Sequence, residues 1–382
     1  MGTGGWRRAH TPKSIDYFSS LVTLSGMNIP IASLLNFLFL AFNLFIFTPS
    51  CVADNQESET VGVLLPLSGG LMEMGNSLRR GIELYKIEHP ESKTRFVYED
   101  HRYDGKSTVS GFHALRDRSK ASLFVVWGNT PADSVAPVAE QLKTQLLAIT
   151  MNPVAKDRSF VVAFGSLKPV AARFVESIKE SATEHPGAVS VDLGNALEML
   201  KLIEDDLTSE FTKVIVATEE VDFKSTILKL KAKGIDSLTL FLLPQQSLTF
   251  LKQSKQMNYA PKILGGDIFA SDSFRHEVTK LTDKCSFVYG GVKNEFLRNL
   301  RGSAAGSSYF FEVATGYSIA AIIDQAMQKR KALGRSDSNI LDQLSSVDVS
   351  NLPISALKFV NDNEQGRHFE SEHQSYRASF DE

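Results

Sequence analysis

Residues Val61 to Gly81, VGVLLPLSGGLMEMGNSLRRG, constrain this chain more than any other stretch. An apolar run from Val61 to Leu65 stops at Pro66 and the pair Gly69-Gly70. A short apolar run closed by turn residues reads as a strand buried on both faces, the kind that parallel sheets use. Beyond the loop, Leu78, Ile82 and Leu84-Tyr85 recur at helical spacing, with Arg79, Arg80, Glu83 and Lys86 between them. That spacing predicts an amphipathic helix. Strand, loop and helix make the first half of a βαβ unit, and ligands of such sheets meet the carboxyl ends of the strands. The loop Ser68–Gly75 is therefore the first place to seek a site; the alternative is a plain connection.

The alternation continues. Strands are expected at Arg95–Glu99, Ser122–Trp127 and Gln145–Ile149, separated by helices over Ser107–Lys120 and Ala132–Leu142. Right-handed crossovers and a parallel sheet follow from such repeats. A second series begins at Phe160–Phe164, with further strands at Ala188–Val191, Lys213–Ala217, Leu238–Leu243 and Pro261–Leu264. Helices over Lys168–Glu180, Ala196–Leu207, Asp222–Lys233 and Pro244–Met257 alternate with them. Asn294–Ser308 reads as loop, Tyr309–Lys329 as a long apolar-striped helix, and the end of the chain as a turn and a polar tail. So many strands fit two doubly wound α/β sheets better than one.

At 382 residues, with 43% hydrophobic and 22% charged residues, the chain has room for two domains. A net charge of −3 offers no basic stripe for nucleic acid. The two cysteines and eight histidines form no cluster at metal-ligand spacing, so neither a metal nor another cofactor is expected. No nucleophile elbow, P-loop or paired-histidine zinc motif is present, and the expected activity is non-catalytic. Residues 1–53 are a different material: Arg7, Arg8 and Lys13 precede the apolar run Ile29–Phe47, and Thr48–Ala53 lead into a polar stretch. This describes a secretory signal cut after Ala53. An uncleaved anchor, a lipidated Cys51 and a later start at Met27 stay open.

With these segments laid out, the chain resembles the periplasmic substrate-binding proteins of branched-chain amino-acid transporters, the leucine/isoleucine/valine-binding family. The similarity rests on VGVLLPLSGGLMEMGNSLRRGIEL, the EDHRYDG turn, SVAPVAEQLKTQLLAIT, EVDFKSTILKLKAKGIDSLTLFL, FLKQSKQMNYAPKILGGD and PISALKFVNDNEQGRHF, in that order. The resemblance implies two doubly wound parallel-sheet lobes joined by three crossovers, with ligand held in the cleft. It places one lobe at 58–164 plus 288–346 and the other at 165–287 plus 347–382. It also implies a periplasmic or extracellular location, a small amino-acid-like or amide-like ligand, and the membrane permease of an ABC transporter as partner. A periplasmic sensor signalling through a membrane partner is the alternative.

The resemblance carries ligand contacts to particular positions. Met74 stands where an aromatic residue packs on the ligand. Gly128, Asn129 and Thr130 form the loop that binds a ligand carboxylate, and Asn152 and Val154 fall in the second carboxylate-binding run. Asp267 stands where an acid binds the ligand ammonium. A tyrosine of the second lobe is missing at Asp192-Leu193-Gly194. A buried zwitterion needs both charges matched, and each charge-assisted hydrogen bond contributes roughly 1.5–3 kcal/mol. Val154 lacks a hydroxyl and Pro153 an N–H, so the carboxylate side is the poorer match. Each position also has a plainer reading: Met72 and Met74 as core, Asn129 and Thr130 as a helix start, Asp267 as a turn residue. Trp127 would line the cleft or pack beneath it.

Overall fold

The computed structural model describes residues 59–207, 210–301, 309–334 and 339–378. The expectations for the leader, including Cys51 and the cut after Ala53, lie outside them. Strand β1 (Thr60–Leu65) is buried at every position and pairs in parallel with β2 (Arg95–Asp100) on one side. On its other side lies β3 (Leu123–Trp127). Helix α1 (Met72–Glu88) separates β1 from β2, and α2 (Gly105–Ser119) separates β2 from β3. Then come α3 (Asn129–Gln141), β4 (Gln145–Ile149) and β5 (Val161–Phe164). Aliphatic runs form these strands because helices cover both faces of the sheet. One face packs against Leu78 and Ile82 of α1, the other against Phe112 of α2 and Val135 of α3.

The chain crosses after Phe164 into a second sheet. There α4 (Leu167–Glu180), β6 (Pro186–Val191), α5 (Gly194–Asp206) and β7 (Thr212–Val216) lead on to α6 (Lys224–Ala232) and β8 (Ser237–Phe241). Helix α7 (Pro244–Gln256), β9 (Lys262–Gly265), a short 3-10 turn (Asp267–Ala270), α8 (Asp272–Thr279) and β10 (Cys285–Gly290) complete the series. The chain then returns through α9 (Asn294–Arg301) and α10 (Phe310–Ala332), which pack on the first sheet's side. After a 3-10 helix (Ile340–Ser346), β11 (Lys358–Asp362) and β12 (Gly366–Glu370) form a hairpin on the first sheet, and β13 (His373–Arg377) joins the second.

The strand orders are β11-β12-β5-β4-β3-β1-β2 and β13-β10-β9-β8-β6-β7. Pairing is parallel except for β11 with β12 and β10 with β13. Each sheet reverses direction beside its first strand, between β1 and β3 and between β6 and β8. Such switch points open crevices at the strands' carboxyl ends.

Three differences from the expected layout concern the later chain. Residues 288–290 complete β10 in the second sheet, and 358–370 belong to the first, so the second and third crossings fall near 291 and 371 instead of 287 and 346. Residues 294–301 are helical, not loop. Helix α8 buries only Phe274 and Val278, too sparse a stripe to stand out in the sequence. The crossings are knitted together by backbone bonds: Gly165 N to Phe369 O at 2.9 Å, Gly291 N to Glu372 O at 2.9 Å and Ser355 N to Gly291 O at 2.9 Å.

Helices α1 and α10 touch backbone to backbone. A Cβ on Gly81 would stand 1.9 Å from Val313 O, and one on Gly316 2.0 Å from Leu78 O. Helix propensity alone would make Gly316→Ala stabilising by about 1 kcal/mol. The clash reverses the sign: forcing two helices apart in a packed core costs typically about 1–3 kcal/mol. We expect Gly316→Ala to lower the urea midpoint, whereas Gly70→Ala, in open space, shifts stability by less than about 0.5 kcal/mol.

Candidate functional site

A cavity of about 330 Å³ lies where the carboxyl ends of both sheets' strands converge. The first sheet contributes Trp127 and Gly128 after β3, Thr150 and Met151 after β4, and Phe164. The second contributes Val191, Phe241, Gly266-Asp267 and the end of β10, Val288–Gly290. Glu312 and Thr315, in the first turns of α10, close one wall, and Ser371 and His373 of the third crossing close another.

The α3 end of the cavity is built by the turn after β2. Asp100 gathers the turn: its Oδ1 accepts from Leu67 N and Arg102 N, both at 2.9 Å, and its Oδ2 from Ser68 Oγ at 2.5 Å. His101 is fully buried, and that burial lowers its pKa to about 4, so the ring is neutral. Its Nδ1 accepts from Tyr103 N at 2.9 Å, which leaves Nε2 to donate to Trp127 O at 3.0 Å. With Arg102 and Tyr103 both in the left-handed region (φ 52° and 59°), the Tyr103 ring swings over Trp127, centroids 5.9 Å apart. Burial raises the pKa of its hydroxyl, and the backbone N–H groups of Asn129 and Thr130 at the start of α3 pull the other way. Gly128, at φ 107°, lets the ring in; a Cβ there would stand 2.4 Å from Tyr103 Cε2.

Of the residues singled out in the sequence, Gly128, Asn129 and Asp267 line this cavity. Asn129 also ties two strand ends together, its Oδ1 accepting from Thr150 Oγ1 at 2.7 Å and Met151 N at 3.1 Å. The other four lie elsewhere. Met74 is buried in an apolar cluster with Phe269 and Tyr309, and none of the loop Ser68–Gly75 reaches the cavity. Thr130 is exposed. Asn152 turns its amide to Asp133 Oδ2 at 2.7 Å, and Val154 is core beside Ala155 and Val161. Trp127 lines the cavity and packs against both apolar clusters around it.

Several lining residues were not legible as site residues. Glu312 is buried, and burial pushes its carboxyl up to about 8 although the Tyr289 hydroxyl donates to its Oε2. Asp267 keeps accessible surface inside the cavity, but the walls crowd it and desolvation raises its carboxyl as well. Its one local bond comes from Ile268 N at 2.9 Å. His373 is lowered by burial to about 4 and is neutral. Among the described residues that line the cavity, none is Lys or Arg, and most of the rest are apolar or aromatic. The described residues hold no group of three or more His, Cys, Asp or Glu able to bind a metal ion.

Glu312 gives the site a pH signature. Its folded pKa of about 8 exceeds the ordinary 4.5, so the stability tied to its neutral form is complete below about 4.5. It is lost as pH rises to about 8. Burial of neutral His101 and His373 acts with the opposite sign between about 4 and 6.5. The informative quantity is therefore the difference between two chains. We expect the melting temperature of the native chain minus that of Glu312→Gln to fall steadily from pH 5 to pH 8.

Comparison with known proteins agrees with this geometry. A family profile described as periplasmic binding protein matches residues 59–284. No match emerged among curated protein sequences. Among solved structures, a leucine-binding protein from Thermotoga maritima superposes with a TM-score of 0.67 at 16% identity, over 81% of this chain and 93% of that one. A branched-chain amino acid transporter substrate-binding protein from Streptococcus pneumoniae, in complex with isoleucine, gives 0.69 at 16% identity over 84% and 96%. A solute-binding protein of an ABC transporter from R. palustris, in complex with benzoate, gives 0.66 at 15% identity over 85% and 94%. At these identities the likeness is one of fold.

Proposed function

We propose, since this chain belongs to the periplasmic binding protein family, that it captures a small amine-bearing solute between its two sheets and delivers it to the membrane permease of an ABC transporter. The observation that carries this reading is Asp267, a carboxylate at a strand end inside an apolar cavity that carries no Lys or Arg among its described lining residues. A carboxylate crowded by apolar walls with no cation beside it is costly to ionise, and a ligand ammonium supplies the missing charge. Gly128 and Asn129 reach the same cavity from the opposite sheet, so a bound ligand touches both lobes. Ligand that bridges two lobes stabilises the closed arrangement by its differential affinity for it, and a transporter can recognise that arrangement. The location implied is extracytoplasmic.

Ligand binding to the native state raises stability by about 2.7 kcal/mol when its concentration is 100 times Kd. We therefore expect small hydrophobic amines such as L-leucinamide to raise the melting temperature at pH 7. Asp267→Asn, which keeps shape but removes charge, is expected to weaken binding about 10- to 100-fold. An undiminished response in that variant would remove Asp267 from the proposed role.

A further inference from the structure

We infer that the solute carries a neutral hydrogen-bonding group, a carboxamide or a hydroxyl, and no free carboxylate, because a second polar pole of the cavity is built for such a group. This rests on the solute-capture reading above and specifies its ligand.

The first observation concerns hydrogen bonds left unmade. Ser166 Oγ, Thr315 Oγ1 and His373 Nδ1 are buried, line the cavity and have no partner among the described residues. Buried polar atoms without partners are uncommon in native proteins, and each calls for an explanation. Three that share one cavity with Asp267 point to a ligand that supplies what they lack. Two hydroxyls and a neutral imidazole can each donate or accept. A carboxamide, with donors on nitrogen and an acceptor on oxygen, answers that mixture; an alcohol answers part of it.

The second observation concerns charge. A carboxylate would enter a cavity that already holds the carboxyl of Asp267 and whose described lining offers no cation. Helix N-termini are the usual remedy for a buried anion, and α3 does point its first N–H groups here. The Tyr103 ring, however, is packed against Gly128 at that helix start. Gly128 and the His101 turn hold that ring in place. The protein thus packs its own aromatic ring beside the helix end where an anion would be neutralised.

The test is calorimetric titration of the native chain at pH 7 with five probes of common shape. These are L-leucinamide, L-leucinol, L-leucine, isoamylamine and isovalerate. The expected result is that leucinamide or leucinol binds at least tenfold more tightly than leucine, and that isovalerate gives no heat of binding. Thr315→Val is expected to narrow the gap between leucinamide and isoamylamine. Tighter binding of leucine than of both neutral analogues, or any binding of isovalerate, would overturn the inference while leaving solute capture standing. Binding of none of the five would overturn the capture reading and the inference with it.

Discussion

The backbone contact between α1 and α10 holds the rest of the site in place. Gly81 and Gly316 let the two helices meet with no side chain between them, and α10 carries Glu312 and Thr315 on the same turns as that contact. A helix seated that closely is rigid where it matters, at its cavity end. The same packing buries Leu78 and Ile82 against β1, so the first sheet, α1 and the cavity wall are one mechanical unit. The second wall depends on different supports: the strand ends of β8, β9 and β10 and the hydrogen-bonded crossings near 165, 291 and 371. Two separately supported walls joined by three short crossings are what a hinge requires.

Much of the fold was legible because parallel strands announce themselves. VGVLL and LFVVW are apolar at successive positions, and each is followed by turn residues and a striped helix. The crossings were harder to place. Residue 291 and residue 371 lie in short irregular segments, and β12 and β13 are polar strands of five residues whose partners, β5 and β10, are remote in sequence. Local periodicity carries no information about pairing at such distance. The site was legible in the same uneven way. Gly128, Asn129 and Asp267 follow strand ends, where topology puts ligands. Val154 and Met74 were drawn into apolar clusters, an outcome fixed by tertiary packing. Glu312 and Thr315 were hidden in a helix that read only as an apolar stripe, and His373 in a tail that read only as polar. Tyr103 stood in the EDHRYDG turn, but its aim at α3 depends on left-handed backbone at two consecutive residues.

The electrostatic character of the cavity follows from desolvation more than from pairing. Two carboxyls in an apolar enclosure are both pushed toward their neutral forms, and the nearby phenols of Tyr289 and Tyr309 are raised with them. A cation entering beside Asp267 would restore its charge at little cost, whereas an anion would meet that carboxyl and no cation among the described lining residues. Selection by charge sign is thus built into the walls before any particular contact forms.

A crystal structure of the chain grown with L-leucinamide tests this account most directly. The account predicts ligand density between the two sheets, with nitrogen at hydrogen-bond distance from Asp267, the carboxamide beside Thr315, and Tyr103 still packed at the start of α3. Density at the α3 N-terminus with Tyr103 displaced would contradict it, as would a ligand bound outside the cavity.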